Sequence, residues 1–437
     1  MDMTAEEEGT LDRDRLTALQ GERLRRLLAE ILPANRFYAA KFAAAGISPA
    51  SVCEVADLHR LPFTTKAELL ADQAGHPPYG TNLTYPRERY TRLHQTSGTQ
   101  GQPLRWLDTV DSWQWMLDCW NQIYAITGVQ RTDRLGFAFS FGPFLGFWTA
   151  FEAAWQLGFL CLPGGGMSSA ARLRFLAGNE ATVLLCTPTY ALHLAGVAAE
   201  QGIELPRLGV RSIIVAGEPG GSIPATRRRI EQAWGTRLFD HSGMTEMGPA
   251  AVECRENPGG LHLLEEDYLA EVIDPDSCRP VPAGQVGELV LTNLGRRGSP
   301  LLRYRTGDLV RPDPRPCPCG RTFLRLDGGI LARTDDMIHL RGNNVYPSAL
   351  EDVIRRFPGV AEYRIEVDAS QALTALRIDV EPQNGDGQGL ARGISEAIRD
   401  TLLFRAEVRA VPPGTLPRYE MKAKRVHHKG HKEHKGK

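Results

Sequence analysis

The sequence predicts an α/β protein with a large, multi-lobed N-terminal domain and a small α+β C-terminal domain. Three observations support this prediction. At 437 residues, the chain is longer than one ordinary hydrophobic core serves. Short apolar runs alternate with helical stretches between residues 134 and 216, a pattern typical of α/β sheets. The composition changes near residues 328–337, and a shorter pattern of helices and strands follows.

The elements of the large domain follow from their periodicities. Residues 11–32 predict an amphipathic helix, because apolar residues recur at helical spacing between Arg and Glu. Another helix is expected after Ser222, which we expect to cap it, with Pro224 in its first turn. Residues 288–294 predict a strand with polar ends. The α/β region contains predicted strands at 134–139, 182–186 and 211–216, and predicted helices at 170–176 and 190–202.

The small domain has a pattern of its own. Leu350, Val353, Ile354 and Phe357 form one apolar stripe, which predicts a helix over 347–357. Strands are expected over 363–367 and 373–380, and a further helix over 389–403.

These patterns predict an N-terminal domain over 1–332 and a C-terminal domain over 337–426, joined by residues 333–336. Residues 427–437 contain only His, Lys, Gly and Glu. Such a segment cannot bury a core, so we expect a disordered tail.

The charge balance argues against nucleic-acid or membrane partners, because 51 Lys and Arg face 52 Asp and Glu. Residues 1–15 are too acidic and polar for a signal peptide. No apolar run reaches the roughly 18 residues of a membrane helix. We therefore expect a soluble, cytoplasmic protein.

Residues 96–103, Thr-Ser-Gly-Thr-Gln-Gly-Gln-Pro, form a candidate phosphate-binding loop. Glycines let the backbone approach a phosphate, while hydroxyl and N–H groups supply donors. The loop lacks the Gly-Lys-Ser/Thr ending of a Walker loop. A flexible turn is the alternative interpretation. The candidate ligands are Thr96, Ser97, Gly98, Thr99 and Gly101.

Four cysteine and histidine residues form a candidate metal site: Cys254, His262, Cys317 and Cys319. Three thiolates and one imidazole make a closed, four-ligand set of the structural zinc type. Cys317 and Cys319 are closer in sequence than the usual Cys-x₂-Cys pair, so free core cysteines remain the alternative.

Further motifs place carboxylates, hydroxyls and lysine in a fixed order. They are 241–246, His-Ser-Gly-Met-Thr-Glu; 304–308, Tyr-Arg-Thr-Gly-Asp; 333–336, Arg-Thr-Asp-Asp; and 414–422, which ends at Lys422. With the phosphate loop, this set resembles the adenylate-forming superfamily of acyl-CoA synthetases, adenylation domains and luciferases.

Within that superfamily, the chain resembles the phenylacetate–CoA ligase family. The stretches that carry the resemblance are 61–66, 216–219, 253–254, 317–322 and 341–347. The resemblance implies a large adenylate-forming domain with a small mobile one. It also implies an ATP-dependent acid–CoA ligase that uses Mg²⁺ and activates a carboxylic acid, aryl or arylacetic in type, as an acyl-adenylate. Coenzyme A then accepts the acyl group.

Two other functions stay open: an adenylating enzyme that serves an amine or carrier protein, and a nucleotide-binding protein without turnover. The sequence does not determine the oligomeric state, and a homodimer is compatible with it.

The resemblance also implies roles for individual residues. Thr96 to Gly101 hold the ATP phosphates, Thr245 contacts the α-phosphate, and Glu246 binds Mg²⁺. Asp308 binds the ribose hydroxyls, and Arg333 contacts ribose or phosphate. The remaining roles are adenine contacts for Gly217, Glu218 and Pro219, a hinge over residues 333–336 about Asp335, and catalysis of adenylation for Lys422.

Most of these roles have a simpler alternative: a helix cap for Glu246, a turn for Asp308, an ordinary exit from a strand into a turn for 217–219, loop solvation for Asp335 and a solvated tail lysine for Lys422.

Residues 140–148 are rich in aromatic side chains and glycines, and the family's matching segment lines the acyl pocket. Phe141 and Phe144 are the candidate pocket residues, since flat side chains suit an aryl acid. Ordinary core packing is the alternative.

Overall fold

The computed structural model describes residues 11–48, 52, 54–96, 102–334, 336–340, 343–368, 375–419 and 423–429. Residues 11–334 are called the large domain below, and residues 336–429 the small domain. The predicted boundaries at 332 and 337 remain predictions.

The large domain contains helices that surround a central sheet. Its helices are α1 (Arg13–Ile31), α2 (Arg36–Ala44), α3 (Lys66–Gly75), α4 (Val110–Thr127), α5 (Trp148–Gln156), α6 (Ser169–Gly178), α7 (Pro188–Glu200) and α8 (Pro224–Trp234). Its strands are β1 (Tyr90–Gln95), β2 (Arg105–Thr109), β3 (Arg134–Phe137), β4 (Leu160–Pro163), β5 (Val183–Cys186), β6 (Ser212–Val215), β7 (Arg237–Met244), β8 (Gly248–Val252), β9 (Gly260–Leu263), β10 (Tyr268–Ile273), β11 (Gly287–Asn293), β12 (Tyr304–Val310), β13 (Arg325–Asp327) and β14 (Ala332–Arg333).

The central sheet has eight strands in the order β13-β9-β8-β7-β6-β5-β3-β4. Strands β4, β3, β5, β6 and β7 are parallel, whereas β8, β9 and β13 continue the sheet antiparallel. Both faces of the parallel part are covered, as buried parallel strands require. In β5, Val183 and Leu185 pack with α4 and α5, while Leu184 and Cys186 pack with α6, α7 and α8.

A second, antiparallel sheet has the order β10-β11-β12-β14, and β1 pairs with β2 in a separate two-stranded ribbon. The N-terminal helices α1 and α2 pack in a satellite core that includes Leu269 and Leu302. No helix in the described ranges combines the length and apolar character needed to cross a bilayer.

The small domain has its own core around a mixed sheet, in the order β19-β18-β17-β20. Its elements are β15 (Ile338–Leu340), β16 (Asn343–Val345), α9 (Pro347–Arg355), β17 (Val360–Asp368), β18 (Ala375–Pro382), α10 (Gly387–Leu402), β19 (Glu407–Ala410) and β20 (Val426–Lys429). The α/β class is confirmed, and the helices and strands expected from sequence are present with shifted ends.

The expected cap of α8 is wrong. Helix α8 has Pro224 in its first turn, as predicted, but Ile223 occupies the N-cap position. The Ser222 hydroxyl instead donates to Asp240 Oδ2 at 2.6 Å. A buried carboxylate is a strong hydrogen-bond acceptor, so the Ser222 hydroxyl donates to it and does not accept from the N–H groups of α8.

The predicted start of the tail also needs correction. Residues 427–429 belong to β20, which pairs in parallel with β17 from Val426 opposite Ile365 to Lys429 opposite Asp368. Strand pairing uses backbone groups, so it does not require the apolar side chains that this segment lacks. Residues 430–437 lie outside the described ranges.

Candidate active site

The turn that carries Thr245 and Glu246 follows β7, and a buried arginine holds its backbone. Arg296 Nη1 donates to Thr245 O at 2.7 Å and to Glu246 O at 3.0 Å. The same guanidinium donates to both Asp108 oxygens, at 2.7 and 2.6 Å, and both side chains are fully buried. Fork-like pairing fixes geometry as well as charge. Arg296 therefore determines where Thr245 and Glu246 lie.

Glu246 is only 4% exposed, and its carboxylate lies 3.1 Å from Lys66 Nζ. Lys66 begins α3, where Thr65 and Glu68 form a capping box. Carboxylate oxygens are ligands that Mg²⁺ prefers, and a site with one carboxylate and substrate phosphates is typical for this ion. The Glu246 position therefore fits a magnesium ligand, with a cation already placed beside it.

Asp308 and Arg333 are paired across β12 and β14, and Arg333 Nη1 donates to Asp308 Oδ1 at 3.0 Å. Gly307 has a φ of +74°, and a Cβ there would lie 2.7 Å from Arg333 Nη2. Glycine at 307 thus lets the arginine approach the carboxylate.

Tyr304 links this pair to Glu246. Burial raises the pKa of the Tyr304 phenol well above its usual range. The nearby carboxylates of Glu246 and Asp308 raise this pKa further, whereas the guanidinium of Arg333 lowers it. Such interactions require the four side chains to lie close together. The fold therefore brings together three predicted site residues that are up to 87 positions apart in sequence.

The candidate phosphate loop is closed at its ends. Thr96 N donates to Leu104 O, and Leu104 N donates to Thr96 Oγ1, both at 3.0 Å. Several predicted site residues lie outside the described ranges, and their roles remain predictions: Ser97, Gly98, Thr99, Gly101, Asp335 and Lys422.

Glu218 connects the two domains. Gly217, with a φ of +93°, and Pro219 flank it in the turn after β6. The Glu218 carboxylate accepts from Thr189 N at 2.8 Å and from Ala423 N at 2.6 Å. Burial raises the pKa of Glu218, although these hydrogen bonds lower it. The residue expected beside adenine thus holds the backbone that immediately follows Lys422.

Arg425 makes a second contact between the domains by donating to Thr189 Oγ1 at 3.1 Å, and within the small domain it donates to Glu362 Oε1 at 2.7 Å. Within the segment before it, Tyr419 Oη donates to Lys424 O at 2.8 Å. Hydrogen bonds therefore constrain the chain on both sides of residues 420–422.

Glu381 organises the start of the same segment. Its carboxylate accepts from Gly414 N and Leu416 N, each at 2.9 Å, and pairs with Arg418. Burial alone would raise the pKa of Glu381, but the Arg418 guanidinium and the two N–H groups lower it to about 2. Glu381 is therefore ionised, and its contacts fix the chain from Gly414 to Arg418, which precedes Lys422.

Phe141 lies in an aromatic cluster, with ring centroids 4.9 Å from Phe139, 4.6 Å from Trp148 and 5.3 Å from Phe151. Phe144 is 38% exposed and makes no ring pair with these residues. The fold therefore groups Phe141 with other aromatic side chains but does not group the two candidates. A pocket role and a core role for Phe141 both fit this packing.

The four residues of the candidate metal site, called the Cys–His cluster below, lie together. Their ligand atoms are all within 4.8 Å of one another. Cys254 Sγ is 3.7 Å from Cys317 Sγ, and Cys319 Sγ is 3.6 Å from His262 Nε2. Thiolates bound to one tetrahedral zinc at about 2.3 Å lie about 3.8 Å apart, so the donor set fits the ion.

The surroundings of the Cys–His cluster support this fit. His262 Nδ1 faces Phe323 O at 3.4 Å, which leaves Nε2 toward Cys319, as a metal-bound imidazole requires. Burial lowers the pKa of His262 to about 4, so its imidazole is neutral. Burial raises the pKa of Cys254 to about 12, and a bound cation would favour its thiolate.

Comparison with known proteins agrees with the two-domain division. The sequence matches the AMP-binding enzyme family over residues 45–295 and the AMP-binding enzyme C-terminal domain over residues 342–429. It is 33% identical to the phenylacetate-coenzyme A ligase of Thermus thermophilus, over 94% of this chain and 96% of that protein. The Escherichia coli phenylacetate-coenzyme A ligase is 31% identical, over 94% of each chain. The chain belongs to the phenylacetate–CoA ligase family of AMP-binding enzymes.

The domain arrangement can be compared with solved structures of a related ligase. A 2-hydroxyisobutyryl-CoA ligase in the postadenylation state, bound to 2-HIB-AMP, is 30% identical and superposes with a TM-score of 0.91 over 97% of this chain and 91% of that chain. The same ligase with 2-HIB-AMP and CoA in the thioesterification state gives a TM-score of 0.73, over 96% and 91%. The present domain arrangement is therefore more similar to the postadenylation structure of that ligase than to its thioesterification structure.

Several residues around the site could not be identified from the sequence. Lys66 had a sequence signal, because it is the last residue of the stretch 61–66 on which the family resemblance depends. The others act through partners far away in sequence, which no local pattern shows: Asp108, Thr189, Arg296, Glu381 and Arg425.

Proposed function

We propose that this chain is an AMP-forming acid–CoA ligase. It joins a carboxylic acid to the α-phosphate of ATP, releasing diphosphate, and then transfers the acyl group to the thiol of coenzyme A, releasing AMP. The observation that carries the proposal is the identity of 31–33% to phenylacetate-coenzyme A ligases across both domains.

The first step brings an acid carboxylate toward a phosphate, so the site must offset anionic repulsion and align the attack. In the proposal, residues 96–101 hold the phosphates and Thr245 contacts the α-phosphate. Asp308 and Arg333, already paired at 3.0 Å, bind the ribose and its phosphate. Lys422 bridges the carboxylate and the α-phosphate.

The cation and adenine contacts complete this assignment. Glu246 would hold Mg²⁺, which neutralises phosphate charge when bound. Lys66, 3.1 Å from Glu246, adds a second positive charge on the same side. Because the Glu218 carboxylate is occupied by two N–H groups, the 217–219 turn contacts adenine through its backbone.

The second step needs the thiol of coenzyme A as acceptor, but it no longer needs the ammonium group of Lys422 at the α-phosphate. The small domain turns about Asp335 between steps and carries Lys422 away. Gating by such domain motions is common among enzymes. The Cys–His cluster would bind one zinc. Its role would be structural, because a closed set of four protein ligands leaves no position for substrate.

The acid is aryl or arylacetic, since Phe141 lies among aromatic rings with centroids about 5 Å away. A small branched hydroxy acid is the second candidate. Its support is the 2-hydroxyisobutyryl-CoA ligase, whose fold matches with a TM-score of 0.91.

One experiment tests the function and separates these substrates. AMP release is measured for phenylacetate, benzoate, 2-hydroxyisobutyrate and palmitate, each with and without coenzyme A. We expect CoA-dependent AMP release that is fastest with an aryl or arylacetic acid. CoA-independent release on adding an amine would indicate a different acceptor, and absence of turnover with every acid would refute the ligase.

The proposal also includes a cytoplasmic location, where ATP and coenzyme A are both available, and a homodimer as the assembly. Light scattering coupled to size-exclusion chromatography measures the assembly directly.

A further inference from the structure

Helix α8 has no side-chain cap from its own segment in the described structure. Ile223 occupies the N-cap position, and the hydroxyl of Ser222 is committed to Asp240. The first N–H groups of a helix need acceptors from elsewhere. Here Ala225 N donates to Asp352 Oδ1 at 2.8 Å, and Asp352 belongs to α9 of the small domain. One domain therefore caps a helix of the other.

Asp352 is held in position for this contact. Its Oδ2 accepts from Arg356 Nη2 at 2.5 Å and from Arg356 Nε at 3.1 Å, one helical turn along α9. A carboxylate at a helix N-terminus also interacts favourably with the helix dipole. Arg356 thus orients the Asp352 carboxylate through Oδ2, while Oδ1 caps α8.

Neighbouring contacts extend the same interface. Glu351 Oε1 accepts from Thr226 Oγ1 at 2.9 Å, and Arg229 Nη2 donates to Val360 O at 3.2 Å. All of these bonds join α8 to α9 or to the start of β17. They therefore exist only while the two domains keep this relative position.

That relative position is the one found in the postadenylation state of the 2-hydroxyisobutyryl-CoA ligase. The TM-score is 0.91 against that state and 0.73 against the thioesterification state of the same ligase, at 30% identity in both cases. The cap of α8 by Asp352 consequently belongs to an arrangement similar to the one in which that ligase holds 2-HIB-AMP in the postadenylation state, and it differs from the thioesterification arrangement.

We propose that Asp352 is a positioning residue that stabilises the adenylating arrangement by capping α8 across the domain boundary. The inference rests on the proposed two-step function. A helix cap typically changes an equilibrium about five-fold, which corresponds to about 1 kcal/mol. Removing it shifts the population of domain arrangements away from adenylation, because a contact made in only one state biases the equilibrium toward that state.

The test measures each half-reaction in single-turnover experiments, using the best acid of the panel. Adenylation is followed by adenylate formed without coenzyme A, and transfer by thioester formed from supplied acyl-adenylate. In Asp352→Ala, we expect the ratio of adenylation rate to transfer rate to fall about five-fold, while the transfer rate does not fall. Asp352→Asn keeps an oxygen acceptor for Ala225 N and should recover most of the ratio.

Asp386→Ala is the matched control. Asp386 caps α10 within the small domain, accepting from Gln388 N at 3.0 Å. This variant loses a cap of the same kind but should leave the ratio unchanged. Thr226→Val removes the neighbouring contact from the large-domain side and should lower the ratio in the same direction, even if Asp352→Ala folds poorly.

An unchanged ratio in both Asp352→Ala and Thr226→Val, or an equal fall in Asp386→Ala, would overturn the inference. Failure of the proposed function is distinguishable, because the wild-type protein would then form no adenylate in the first place.

Discussion

The Cys–His cluster and the proposed nucleotide site differ in which domains supply their parts. All four residues of the cluster come from the large domain, and their ligand atoms already lie within 4.8 Å of one another. The proposed nucleotide site takes Glu246, Asp308 and Arg333 from the large domain, but the segment around Lys422 comes from the small one. That segment reaches the large domain through hydrogen bonds of Ala423 and Arg425.

This difference indicates how each site is used. A metal set enclosed in one domain is independent of domain motion and suits a structural ion. A site completed by a second domain can be assembled for one step and opened for the next. Damage to the cluster should therefore change stability, and damage to the interdomain segment should change one half-reaction.

The largest expected effect concerns zinc. Native mass spectrometry should find about one zinc per chain, and Cys317→Ser should abolish this binding. The variant should lose roughly 3 kcal/mol or more of unfolding free energy, a fraction of the roughly 10–16 kcal/mol that structural zinc contributes in small peptides. Cys161→Ser, which changes a half-buried thiol outside the cluster, is the control. A zinc-free wild type of equal stability would contradict the assignment.

Lys422→Ala should have the next largest effect. We expect adenylation to slow by roughly 10²-fold, the scale of losing one electrostatic stabiliser, while transfer from a supplied acyl-adenylate stays nearly unchanged. Single-turnover measurement of each step gives both rates. The exposed neighbour Lys424→Ala is the control and should leave both rates near wild type. Equal slowing of both steps in Lys422→Ala would remove the distinction between the two sites.

Phe141→Leu should change selectivity more than stability. Loss of aromatic packing should lower kcat/KM for aryl acids by roughly 10-fold relative to 2-hydroxyisobutyrate, the scale of a changed hydrophobic pocket contact. The acid panel measures the ratio. Phe175→Leu, at a partly buried position on α6, provides the control. If both variants change the ratio alike, or neither does, Phe141 is a core residue only.

The smallest effect concerns pH and Glu381. The pKa of this carboxyl is lowered from 4.5 to about 2 in the folded protein, so the folded state favours the ionised form. Its contribution to stability is present above pH 4.5 and is lost as the pH falls toward 2. In thermal unfolding, the melting temperature of Glu381→Gln should therefore lie well below that of the wild type at pH 7, and the difference should narrow between pH 4.5 and 2.

Glu407→Gln is the control for this measurement, because Glu407 is 63% exposed in a surface pair with Arg377. Such pairs contribute little, so its gap to wild type should be small at every pH. A gap for Glu381→Gln that does not depend on pH would mean that packing, and not charge, holds the segment that begins at Gly414.

The sequence by itself predicted the α/β class, several of the helices and strands, the family, and the members of the Cys–His cluster. Periodicity shows which face of an element is buried, and motif order reflects shared chemistry. The same reasoning failed at Ser222, where a cap was expected, because the hydroxyl meets a carboxylate that β7 brings close. It also ended the small domain at residue 426, because composition does not show backbone pairing at a sheet edge.

Only the tertiary structure decided which residues support the site. Arg296 pairs with Asp108 across 188 positions, and Glu218 with Ala423 across 205. No local pattern specifies such partners, because hydrogen bonds and ion pairs depend on distance in space. The cap of α8 by Asp352 is the clearest case: the sequence specifies a helix with Pro224 in its first turn, and the position of the other domain supplies the missing acceptor.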